Sequence, residues 1–255
     1  MNKHSLIIKL SQIFLLILFI TLWEYLSNHN IINSFIFSSP SKICKCIITL
    51  AKKNDLFSHI LTTLYEVSIS FTLSIVIAIS ISILFYELPI VYKILDPYLT
   101  VFNSMPKVAL GPLIIILFGA TQQSIIITSL SITLILNILT IYNGFTNTDE
   151  YLYKYLLSLK STKFQILKYL VIPSAYSVII NSLKINISMT LIGVIMGEFL
   201  ISKKGIGYLI IYGTQVFNLT LVISGIVILM IISYALYLLI NYIEKFLNKK
   251  ISNKS

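Results

Sequence analysis

The chain has 255 residues, 57% hydrophobic and only 11% charged, with a mean hydropathy of +0.92 and a formal net charge of +10. So little polar surface cannot cover a water-soluble domain of this size, and runs of about 20 apolar residues, each long enough to cross a bilayer, recur along it. All 19 basic residues are lysine and most flank those runs, which reads as loop charge around membrane spans rather than a nucleic-acid surface. Cys44 and Cys46 are too close together to staple a fold, and His4, His29 and His59 have no metal-ligand spacing.

The first apolar run covers 7–26, with Lys3 ahead of it, Lys9 at its start and Trp23 and Tyr25 near its end. It exceeds the apolar core of a signal peptide and no small-residue cleavage site follows, so it is read as an uncleaved span. A polar connector, 27–59, contains "FSSPSKICKC", where serines and Pro40 predict a turn and then a short amphipathic helix at the membrane surface. The second span is 67–86, with serines at 68, 70, 74, 80 and 82 suited to close helix packing. Residues 94–119 are interrupted by Asp96, Pro97, Pro106, Lys107, Gly111 and Pro112, and are read as a broken helix inside the bundle. The fourth span is 124–144. The fifth, 175–200, carries Lys184 and Glu198, and the sixth, 219–242, is uncharged.

Six spans put both termini on one side. With that side cytoplasmic, the inside segments hold 11 lysines and the outside segments 6, which favours this orientation. The division expected is an N-terminal span and outer connector at 1–59, a core at 60–245 and a lysine-rich cytoplasmic tail at 246–255.

The one long inside connector, 147–173, reads "NTDEYLYKYLLSLKSTKFQILKYLVIP". Asn147 or Thr148 caps a short helix with Asp149 and Glu150 in its first turn, and Leu152, Tyr155, Leu156 and Leu159 recur at helical spacing. A second helical piece covers 163–171 and ends near Pro173. The apolar stripe suits two roles: resting on lipid headgroups, or inserting into a groove of a cytoplasmic partner.

These segments together resemble the permease subunit of ATP-binding-cassette importers, in the nitrate/sulfonate/taurine/bicarbonate-type branch. "LDPYLTVFNSMPKVALGPLIIILFG" is most similar to the family pattern, with "FSSPSKI", the Leu170-Val171-Ile172-Pro173 ending and "GEFLISKKGIGYLI" in support, over roughly 37–245. The chain departs from the pattern at Lys154, where the family has an acidic residue opening a Glu-Ala-Ala stretch, and at Lys160, where it has glycine. Glu66 and Ser70 stand where it usually has a basic residue and a glycine.

The resemblance implies an all-α integral membrane protein of six transmembrane helices, with a MetI-like type I ABC importer permease fold and a cytoplasmic coupling helix at about 149–160. It implies no cofactor of its own, since ATP is bound by a partner ATPase subunit. The other implied partners are an extracytoplasmic solute-binding protein, a second permease copy and the bilayer of a bacterial plasma membrane. Leu152, Tyr155, Leu156, Leu159, Lys160 and Pro173 become the ATPase-coupling residues. Asn103, Ser104, Pro106, Lys107, Lys184 and Glu198 become the pathway candidates, with Lys107 or Lys184 attracting an anionic solute. Each lysine has an alternative reading as a snorkelling side chain or as a salt-bridge partner of Asp96 or Glu198, and Glu198 one as a structural acceptor.

An ATP-independent carrier or channel is the main competing function. A membrane-embedded enzyme is disfavoured by nine scattered acids and the absence of histidine from the expected spans. "KKGIG" lacks the preceding strand of a phosphate-binding loop, so Gly205 and Gly207 are read as an outer turn between the last two spans.

Overall fold

Apolar residues recur at the helical period rather than in alternation, and every regular element among the described residues is helical. The computed structural model describes residues 3–53 and 55–252. In chain order the elements are α1 (Lys3–Asn28), α2 (Ser34–Phe37), α3 (Pro40–Lys52), α4 (Asp55–Glu87), α5 (Pro89–Ser104), a 3-10 turn (Lys107–Ala109), α6 (Leu110–Phe118), α7 (Gln122–Thr146), α8 (Glu150–Ser158) and α9 (Lys163–Ile166). A π turn (Leu167–Val171), α10 (Ile172–Ser174), α11 (Tyr176–Ile201), α12 (Ile206–Gln215) and α13 (Leu219–Ser252) complete it.

Five helices are long and apolar enough to cross a membrane, within α1, α4, α7, α11 and α13. The sixth crossing exists only if α5 and Lys107–Phe118 count as one span, bent by 82°. The break expected somewhere in 94–119 falls at one place. Pro106 disfavours helical angles in the residue before it, and Met105 is extended at φ −67°, ψ 148°. Pro97 does not interrupt α5, which runs straight through it. Two expected boundaries also move. α4 starts at Asp55, well before 67, so Glu66 lies inside a helix, and α13 continues to Ser252, into the stretch expected to be a tail.

The chain divides into two compact units. One comprises residues up to Leu61 with Lys204–Met230. Here Ser39 caps α3 by accepting from the Lys42 N–H, and Pro40 occupies the first turn, where its missing N–H costs nothing. Glu24 of α1 accepts from the Ser41 backbone N–H (3.0 Å) and hydroxyl (2.8 Å), and the Ser27 hydroxyl donates to the Ser38 carbonyl (2.8 Å). Those bonds tie α1 to the connector.

The other unit holds Thr62–Lys203 and the residues from Ile231 on. Its centre is the pair α7 and α11. A Cβ added at Gly193 would meet the Ser129 Cα at 2.6 Å, and one at Gly197 the Ile125 Cα at 3.0 Å, so these glycines set how closely the helices approach. The Ser129 hydroxyl crosses to the Thr190 carbonyl at 3.1 Å. At one end, Ala78, Phe85, Ile138, Ile141, Phe145, Ile166 and Val171 form an apolar core. The helical path continues past Pro173, which lies exposed at the start of α10 rather than ending the segment. Pro173 has no N–H for the Tyr169 carbonyl, and the widened π turn lies where that bond is missing.

Candidate functional site

Along α4 one face is polar and fully buried: Thr63, Glu66, Ser70, Ser74 and Ser82, with Ala78 between the last two, recur every three or four residues. Asn137 Nδ2 of α7 donates to Ser74 Oγ (2.9 Å), and Ser82 Oγ donates to the Ile138 carbonyl (3.1 Å). Thr63 Oγ1 donates to Glu198 Oε1 of α11 (2.7 Å). Buried hydroxyls of this kind join helices where apolar attraction cannot, because lipid is as apolar as leucine.

The pathway candidates separate in space and chemistry. Asn103, Ser104, Pro106 and Lys107 cluster at the α5 break; Ser104 and Pro106 are exposed, while Asn103 and Lys107 are half-buried. Lys107 Nζ donates to Asn103 Oδ1 (2.9 Å) and to the Ile132 carbonyl of α7 (3.2 Å). Its partners are therefore neutral oxygens, with no carboxylate among the described residues. Lys184 is different: it pairs with Glu244 of α13 at 2.7 Å, rather than with Asp96 or Glu198. Fourteen residues of helix separate Lys184 from Glu198, roughly 21 Å, which forbids that pairing. Glu198 is fully buried against α4.

The coupling stripe sits on a well-capped helix. Asp149, rather than Asn147 or Thr148, is the cap of α8, accepting from the Tyr151 N–H (2.7 Å) and the Leu152 N–H (3.2 Å). Leu156, expected on the stripe, turns inward with Tyr153 against the apolar core. Leu152, Tyr155 and Leu159 remain exposed, and Tyr151, at 86% exposure, joins them. A cleft of about 570 Å³ lies at the foot of α8, lined by Tyr86, Glu87, Tyr142, Thr146, Tyr153 and Lys163. Glu150 and Lys154 pair across one exposed turn at 2.7 Å, a contact of small worth.

Lys160 follows α8 with φ at +57°, and the Lys160 and Ser161 N–H groups close the helix on the Leu157 and Leu156 carbonyls. A lysine is strained in this left-handed position where glycine is not. Lys160→Gly is expected to stabilise the protein by about 1 kcal/mol, seen as a rise of a few degrees in Tm, since the side chain is exposed and the strain is relieved.

Of the two glycines expected in the outer turn, only Gly205 makes it. Gly205 has φ at +111° and precedes α12, its N–H donating to His59 Nδ1 at 3.0 Å. The His59 ring stacks on Tyr208. Gly207 is buried inside the first turn of α12. Sequence reading passed over Glu66 as a site residue; the available signal was an acid in a buried-face series starting at Thr63.

Residues 70–253 match the model of the family described as "Binding-protein-dependent transport system inner membrane component". The chain belongs to that family. It is a permease subunit of an ATP-binding-cassette importer, and the family is one of transport proteins rather than enzymes. It is 27% identical, over 75% of its length and 76% of the relative's, to the formylaminopyrimidine transport permease protein ThiX of Halalkalibacterium halodurans. It is 24% identical, over 84% and 77%, to the putative aliphatic sulfonates transport permease protein SsuC of Bacillus subtilis. The fold matches a chain of the inward-facing MetNI methionine ABC transporter with a TM-score of 0.64 at 18% identity, covering 76% of this chain and 96% of that one. The MetI-like permease fold expected from the resemblance is therefore the fold of this permease.

Proposed function

We propose that this permease carries a small anionic nutrient, of the sulfonate kind, past the break between α5 and α6. The observation that carries this reading is Lys107, whose ammonium sits half-buried at that break among neutral oxygens. A charge left uncompensated there favours an anion, whereas Lys184 is neutralised by Glu244. The sulfonate permease among the relatives supports the same class. In this reading the termini are cytoplasmic, a second copy of the chain completes the pathway, and an extracytoplasmic binding protein delivers the solute. The exposed Tyr151, Leu152, Tyr155 and Leu159 of α8 receive the ATPase subunit, the site residue Lys160 holds the end of that helix, and Pro173 leads it back into α11. ATP acts through that subunit and not on this chain.

The test is uptake by the reconstituted transporter with Lys107→Gln, which keeps a hydrogen-bond donor and removes the charge. At an effective dielectric near 20, a unit charge roughly 10 Å away is worth about 1.5 kcal/mol, so KM for an alkyl sulfonate should rise about tenfold. Lys107→Arg should stay near wild type. Equal uptake by Lys107→Gln and wild type would remove Lys107 from the pathway and with it the case for an anion.

A further inference from the structure

Two carboxyl groups meet on the buried face between α4 and α11. Glu66 and Glu198 are both at 0% exposure, and their carboxyl groups neighbour each other. Thr63, one turn before Glu66, holds the Glu198 carboxyl against that face by its 2.7 Å bond. Among the described residues, neither Glu66 oxygen receives a hydrogen bond from a protein donor, and the Ser70 hydroxyl, one turn further along the same face, also has no partner. Among the described residues Glu66 forms no ion pair; Lys184 is held by Glu244, and Lys107 by Asn103 and the Ile132 carbonyl.

Two ionised carboxylates in contact away from water repel strongly, while a pair sharing one proton forms a short, charge-assisted O–H···O bond. We propose that Glu66 and Glu198 form a proton-binding site, in which one proton taken up from water bridges the two carboxyls and fastens α4 to α11. Glu66 is then the neutral acid, donating to Glu198, and the Ser70 hydroxyl lies on the same face to serve its other oxygen. A divalent cation suits the site poorly. Among the described residues no group of three or more His, Cys, Asp or Glu side chains gathers to hold one. The site does not depend on which solute the permease carries.

Infrared spectroscopy of the full chain in phosphatidylethanolamine/phosphatidylglycerol nanodiscs reads the proton directly. Wild type should show a protonated-carboxyl C=O band at neutral pH that shifts in D2O, and Glu66→Gln should lack it. The amide of that variant still donates to Glu198, so its Tm at neutral pH should match wild type. Raising the pH should remove the band from wild type and lower its Tm, leaving Glu66→Gln level. Should Glu66→Gln not fold, Glu66→Lys, which puts a cationic donor in place of the proton, should remove the same band. Two results overturn the proposal: a band that survives in the folded variant, or a wild type without a band whose Tm rises with added sodium, potassium or calcium chloride at fixed pH.

Discussion

Gly193→Val should leave little folded protein. A Cβ at this position falls 2.6 Å from a backbone atom, the Ser129 Cα, with the Ser129 Oγ at 3.0 Å. A flexible side chain could rotate away, but a Cα cannot move without parting α7 from α11. Parting them also lengthens the adjacent Ser129–Thr190 bond, now 3.1 Å. Overpacking of a tight interface costs about 1–3 kcal/mol even for small insertions, and valine adds three carbons at the point of closest approach. The yield of monodisperse protein should drop at least about tenfold, with Gly193→Ala in between. Ile192→Val, on the neighbouring exposed position, controls for a general effect of altering this helix. A Gly193→Val protein with wild-type yield and Tm would show that the glycine does not set the approach of α7 and α11.

Leu152→Ala combined with Tyr155→Ala should separate transport from ATP hydrolysis while leaving the fold intact. Both side chains are exposed on α8, so their removal opens no cavity in the unit. Central apolar and aromatic contacts in protein interfaces cost about 1–2 kcal/mol each on truncation, and roughly 3 kcal/mol together is about a hundredfold in affinity. The ATPase subunit should no longer co-purify, and solute-stimulated hydrolysis should fall to the basal rate. Leu156→Ala should behave differently. Leu156 packs against the apolar core, so its truncation should lower Tm before it weakens any partner. If the double variant keeps both the ATPase subunit and stimulation, α8 is not the docking surface, and headgroup contact becomes its role.

Part of this was legible because it depends on local rules. An apolar run long enough to span lipid is visible in any order of residues, and the prolines within 94–119 announced a break, which falls at Pro106 and not at Pro97. A cap at Asn147 or Thr148 and a helix after it followed from acidic and short polar residues before an apolar period, though the cap is Asp149. The same rules misplaced the start of α4, because hydropathy marks where lipid begins and not where hydrogen bonding begins.

The pairings were not legible. Helical periodicity says that Thr63, Glu66, Ser70 and Ser74 share a face, but not what faces them. That Glu198 meets the first two, Asn137 meets Ser74, and Lys184 meets Glu244 depends on how distant segments pack within the unit. The stripe on α8 shows the same limit. Leu152, Tyr155, Leu156 and Leu159 are equivalent by period, and only packing against the core turned Leu156 inward. The sequence by itself therefore determined the membrane class, the apolar runs, a break within 94–119 and the family. The tertiary structure alone decided which charges are neutralised and which stay available, because that is a property of contacts between segments far apart in the chain.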